Sequence, residues 1–109
     1  MCGASFGAYL AALLIADRRI DRLLLRAPAL PEGASLPPGM ASFSGSVLIV
    51  VSERDEVIPP STVAAYTAAF GGRARHEVIR GATHALTDPA WRRVFIDLIV
   101  EWCAGLERP

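Results

Sequence analysis

Five consecutive apolar residues, Val47-Leu48-Ile49-Val50-Val51, stand inside Ser46–Ser52 with no polar residue among them. A strand turns successive side chains to opposite faces, so this run needs apolar cover on both sides. That is the pattern of a strand in a parallel sheet, and parallel strands are joined by crossovers that place helices on the sheet's faces. Residues 22–27 repeat the pattern through Leu23-Leu24-Leu25, and residues 76–79 supply a third candidate strand. Between the first two, Pro31, Gly33, Pro37, Pro38 and Gly39 predict a loop over residues 28–45 with at most one short helical turn.

Helices are expected in the remaining stretches. Residues 7–16 are rich in Ala and Leu and apolar on nearly every side until Asp17-Arg18-Arg19, which predicts a largely buried helix. Residues 61–70 read as a second helix, entered after Pro59-Pro60 and stopped by Gly71-Gly72. In the last helix Trp91, Val94, Phe95, Leu98, Ile99 and Trp102 recur on one face, with Arg92, Arg93, Asp97 and Glu101 elsewhere. Thr87 or Asp88 is its candidate cap, Pro89 suits its first turn and Gly105 its end. The alternation predicts an α/β fold, with a parallel sheet as the middle of three layers.

At 109 residues, 52% hydrophobic and 20% charged, the chain has the composition of a soluble globular protein, and residues 1–109 are expected to make up at most one domain. Eleven basic and eleven acidic side chains cancel without any run of one sign, which argues against nucleic acid or an anionic membrane as partner. A small neutral or weakly charged substrate fits better. The opening apolar run ends at Asp17, short of the ~20 residues of a membrane span, and Arg18 and Arg19 follow it where a secretory leader would carry them in front. Cys2 and Cys103 lack metal-site spacing and read as small apolar residues, so a cytoplasmic setting is expected.

The chemistry-bearing pattern is Gly3-Ala4-Ser5-Phe6-Gly7, a G-x-S-x-G immediately before a helix. A strand turning that sharply into a helix brings its backbone against its neighbours, which predicts that neither flanking glycine position has space for a side chain. Ser5 then stands at the tip of a strained turn, and the backbone N–H of Phe6 is placed to stabilise an oxyanion. Asp55 follows the buried strand in Ser52-Glu53-Arg54-Asp55-Glu56-Val57-Ile58-Pro59, and His84 follows the third strand in Gly81-Ala82-Thr83-His84-Ala85-Leu86. Parallel strands put all their C-terminal ends on one edge, where ligand chemistry in open α/β sheets is found. Singly, Ser5 reads as an N-cap, Asp55 as one charge of a solvated turn and His84 as a loop residue. Together, at corresponding places in a β/α alternation, they read as a triad. His76, inside a strand, reads as structural.

The order Ser, Asp, His, with these elbow, acid and histidine loops, resembles the second half of an α/β-hydrolase-fold serine esterase across essentially the whole chain. The resemblance implies acyl transfer on a carboxylic ester or related acyl substrate by Ser5, His84 and Asp55, with neither metal nor organic cofactor. It also implies an open or lightly covered site, because residues 28–45 occupy the place where relatives insert a lid, and this favours small soluble esters. Peptidase, thioesterase and dienelactone-hydrolase-like activities share the skeleton, although Ser5 in place of cysteine departs from the last. The different-class alternative is a non-catalytic remnant serving as an interaction module. Relatives carry an N-terminal half with the second oxyanion donor. The chain by itself is therefore expected to be inactive or nearly so, with the strand at residues 22–27 left as an open, self-associating edge.

Overall fold

The computed structural model describes residues 1–15 and 20–106. Its elements in chain order are β1 (Cys2–Ala4), α1 (Phe6–Leu13), β2 (Arg22–Arg26), β3 (Ser46–Ser52), α2 (Pro60–Ala69), β4 (Ala74–Ile79) and α3 (Pro89–Leu106). The strands pair in the order β1-β2-β3-β4, all parallel. Leu48 of β3 aligns with Leu24 of β2 on one side and Arg75 of β4 on the other.

The apolar run at residues 47–51 behaves as its composition demands. Val47, Ile49 and Val51 join Leu23 and Leu25 in a core under α1 and α2 that also holds Tyr66 and Phe70. Leu48, Val50 and Leu24 face the other way, into a second core with Ile79 and Trp102 against α3. Three layers result, with α1 and α2 on one face and α3 on the other. The loop at residues 28–45 contains turns and no helix, and it is not loose. Met40 and Phe43 are buried in the first core, and the Arg73 guanidinium donates to the carbonyls of Met40, Ala41 and Phe43.

Several sequence expectations change. There are four strands among the described residues, the additional one being β1, and β2 is not an open edge. Cys2, Gly3 and Ala4 pair with Leu24, Leu25 and Arg26, while the Leu24 N–H donates to the Met1 carbonyl at 3.0 Å. The open edges are β1 and β4. Helix α1 starts one residue earlier than expected and ends at Leu13; Ala16 and the charges at 17–19 lie outside the described residues. Nor is α1 buried all round. Ala8, Ala11 and Ala12 meet the sheet, but Leu10, Leu13 and Leu14 are 46%, 44% and 54% exposed, because no described element covers that side. In α3, Val94 falls at the exposed margin of the expected apolar face. Asp88 caps this helix, its carboxylate accepting from the Ala90 N–H at 2.8 Å, and the helix passes through Gly105 to Leu106. No helix among the described residues is long and apolar enough to cross a membrane.

Candidate active site

Ser5, Asp55 and His84 follow β1, β3 and β4, so parallel pairing delivers all three to one edge of the sheet. Ser5 links β1 to α1 at φ 53° and ψ −118°. An L-residue with positive φ in such a region costs roughly 1–3 kcal/mol and persists only where its surroundings hold it. Three backbone bonds do so. The Ser5 N–H donates to the Arg26 carbonyl at 2.8 Å, and the Ser5 carbonyl accepts from the N–H groups of Ala8 and Ala29, each at 3.1 Å. Ala29 is itself fixed by the buried Tyr66, whose hydroxyl donates to its carbonyl at 2.7 Å. Burial, and secondarily Tyr9, pushes that phenol up to about 12, keeping it a donor.

The two glycines flanking Ser5 are not equivalent. A Cβ on Gly3 would run into the Gly7 carbonyl and lie 2.8 Å from the Ala8 Cα, both backbone, whereas a Cβ on Gly7 would meet nothing within 4 Å. The sharp turn therefore requires glycine at position 3 alone, which corrects the expectation for position 7. Phe6 is the first residue of α1, so its N–H has no acceptor within the helix and remains available above the turn. Its ring is 55% exposed and stacks on Tyr9.

On the opposite flank Asp55 and His84 form a direct pair. His84 Nδ1 lies 2.8 Å from Asp55 Oδ2, with side chains only 15% and 8% exposed. The other carboxylate oxygen, Oδ1, accepts the N–H groups of Val57 at 2.8 Å and Ile58 at 2.7 Å. Burial alone would raise the Asp55 pKa. The hydrogen bond from His84, then those from Ile58 and Val57, then the charge of His84 outweigh that, and hold it below its ordinary 3.8. An ionised Asp55 is an acceptor only, so the shared proton belongs on His84 Nδ1, leaving Nε2 as the basic nitrogen. Among the described residues no hydrogen bond joins the Ser5 hydroxyl to His84.

The two loops are also laced together. Glu53 Oε1 accepts from the Gly81 N–H at 2.8 Å, Glu56 Oε2 from the His84 N–H at 3.4 Å, and the Arg54 N–H donates to the Ala82 carbonyl at 2.9 Å. Arg26 Nη1 reaches over from β2 to the His84 carbonyl at 2.8 Å. Sequence reasoning missed these supports; the one available signal was a cation ending an otherwise buried strand. His76 lies in β4 as expected, but exposed, beside a groove of about 610 Å3 between α2 and the β4 edge. Asp55 touches that groove and neither Ser5 nor His84 lines it, so it is not where a scissile bond would lie.

No protein-family model and no curated protein matches the chain. Solved structures do. An α/β serine hydrolase homologue from Coxiella burnetii is 27% identical with a TM-score of 0.68, covering 92% of this chain and 47% of its own. A predicted CIB-like hydrolase from Thermoplasma acidophilum is 26% identical with a TM-score of 0.66, covering 90% and 48%. An esterase domain from Rhodothermus marinus superimposes with a TM-score of 0.76 at 11% identity, a likeness of fold alone, covering 93% and 58%. The chain has the α/β-hydrolase fold. It spans about half the length of the hydrolases it matches.

Proposed function

We propose that the chain carries the nucleophile, base and acid of a serine hydrolase acting on a carboxylic ester or related acyl substrate. The observation that carries this reading is the 2.8 Å bond between His84 Nδ1 and Asp55 Oδ2, on the sheet edge that also presents Ser5 at φ 53°. Ser5 Oγ attacks the substrate carbonyl carbon as His84 Nε2 takes the hydroxyl proton. The carbonyl oxygen becomes an alkoxide, stabilised by the Phe6 N–H at the start of α1. When the tetrahedral centre collapses, the bond to the leaving alkoxy group breaks and His84 returns the proton to it. Water then attacks the acyl-Ser5 ester, again losing its proton to His84, and the acid departs with Ser5 restored. Throughout, Asp55 holds the imidazole in one tautomer and balances its transient charge.

A small soluble ester is the substrate class we favour, because residues 28–45 form no helical lid and pack down through Met40 and Phe43. A cytoplasmic setting belongs to the same reading and is supported by two unpaired thiols. So is self-association through a sheet edge, now assigned to β1 with its exposed Met1, Cys2 and Ala4. Turnover of p-nitrophenyl acetate by the chain completed with the N-terminal half that its structural relatives carry, compared with its Ser5→Ala variant, tests the function, residues 1–109 alone being expected to be inactive or nearly so. Ester hydrolysis that depends on Ser5 is expected. Equal rates for the two proteins would remove Ser5 from its role and favour the interaction-module alternative.

A further inference from the structure

The histidine is gripped at more points than its ring. Its loop turns at Gly81, φ 74°, and again at Leu86, φ 43°, and between them it has no strand or helix to hold it. Three bonds fix the residue instead: Asp55 on Nδ1, Glu56 on the backbone N–H, and Arg26 on the backbone carbonyl. Two of the three come from the acid loop after β3. The third, from Arg26, comes from β2, the strand that lies beside the nucleophile's own β1.

We infer that Arg26 is a positioning residue that sets the distance between nucleophile and base. Its backbone carbonyl accepts the Ser5 N–H at 2.8 Å and its Nη1 donates to the His84 carbonyl at 2.8 Å. One residue therefore references both groups to the same point of the sheet. The inference rests on the hydrolase reading above and adds to it a residue that touches no substrate atom.

The geometry favours this over a purely structural role. Ser5 and His84 follow the two edge strands, β1 and β4, with β2 and β3 between them, so pairing within the sheet does not fix their separation closely. Asp55 and Glu56 orient His84 relative to β3 only. Arg26 at the end of β2 closes the remaining gap with a guanidinium, whose planar, rigid fork holds a carbonyl at a fixed direction better than a flexible ammonium would. Its side chain issues from the face that Leu24 uses, towards α3, since strand residues two apart share a face. It therefore approaches the histidine loop from the side of α3.

The test, made on the chain completed with the N-terminal half that its structural relatives carry, measures fluorophosphonate labelling kinetics and the NMR signal of the His84 Nδ1 proton in the wild type, Arg26→Ala and Arg26→Lys. Expected is a fall of roughly 100-fold in the maximal inactivation rate of Arg26→Ala, since a displacement near 1 Å has that effect, with the reagent's apparent affinity unchanged. Arg26→Lys retains part of the rate. Millimolar guanidinium restores Arg26→Ala by occupying the vacated site, which would not follow from a general loosening of the fold. The Nδ1 resonance is expected to persist in both variants, because the Asp55 bond remains, but to broaden in Arg26→Ala. Wild-type labelling kinetics and an unbroadened resonance in Arg26→Ala would overturn the inference and leave the hydrolase reading standing. Absence of labelling in the wild type would instead sink the hydrolase reading. The resonance alone would then judge whether Arg26 holds the loop, an unbroadened signal in Arg26→Ala again counting against it. If Arg26→Ala does not fold, Arg26→Lys decides, a full wild-type rate and sharp resonance being the contrary result.

Discussion

The two flanks of the site are built differently. On the Ser5 flank, β1 is three residues long, Met1, Cys2 and Ala4 are exposed, and α1 with its C-cap turns Leu10, Leu13 and Leu14 to solvent. On the flank of Asp55 and His84, β3 is buried from Val47 to Ser52, and its exit loop is bonded to the histidine loop at four places: Glu53 to Gly81, Arg54 to Ala82, Glu56 to His84 and Asp55 to His84. The carboxylate–imidazole pair needs only its own loops to form. The serine, held by backbone bonds to Arg26, Ala8 and Ala29, depends on β2 and on close packing at Gly3. Chemistry on the second flank should thus survive perturbations that the first does not tolerate.

The largest effect should come from breaking the pair itself. Asp55→Asn replaces an acceptor by a group that favours the wrong imidazole tautomer, and kcat for ester hydrolysis by the chain completed with an N-terminal half should fall on the order of 10⁴-fold. Steady-state kinetics check this, beside circular dichroism to show the fold intact. Next comes the core shared by both flanks. Leu48→Ala, at a fully buried position of β3, should lower unfolding free energy by about 2–5 kcal/mol in urea titration. Leu10→Ala on the open side of α1 should stay within about 0.5 kcal/mol.

The glycines sharpen the comparison further. Gly3→Ala forces its methyl against the backbone of Gly7 and Ala8, so it should cost about 1–3 kcal/mol and displace Ser5. Gly7→Ala, with open space around the new methyl in a helix, should be neutral or stabilise by about 0.5–1 kcal/mol. Equal losses from the two would show that the elbow is not held by close approach at Gly3.

The smallest effect is in acid. Because Asp55 ionises below its ordinary 3.8 in the fold, the unfolded chain binds that proton more readily. Its stabilisation is complete above 3.8 and is lost as pH falls through the lower folded value. Urea midpoints measured across that range should therefore fall less steeply in Asp55→Asn than in the wild type. An identical slope in both would mean that the pair contributes nothing to stability.

How much of this was readable beforehand follows the same division. The buried strand at 47–51 and the places of Asp55 after it and His84 after β4 were legible, because a run of apolar residues and a local motif each carry their own signal. Strand β1 was not. Cys2-Gly3-Ala4 is too short for any periodicity and gains its strand character from pairing with Leu24, Leu25 and Arg26. The exposure of α1 was also hidden, since its Ala and Leu residues do not say how many sides find a partner. Arg26 stands out in the sequence only as a cation ending a buried strand; its role as a support was hidden because its bond to His84 spans 58 residues and ends on a backbone carbonyl, which no residue type announces.

The central claim is that Ser5 is made nucleophilic by His84 and Asp55. Treatment of the chain, completed with an N-terminal half, with a fluorophosphonate followed by peptide mass mapping tests it most directly. A single adduct on Ser5 is predicted, absent in Ser5→Ala and slowed on the order of 10³-fold or more in His84→Ala. An adduct elsewhere in the chain, or labelling of Ser5 that proceeds unchanged without His84, would contradict it.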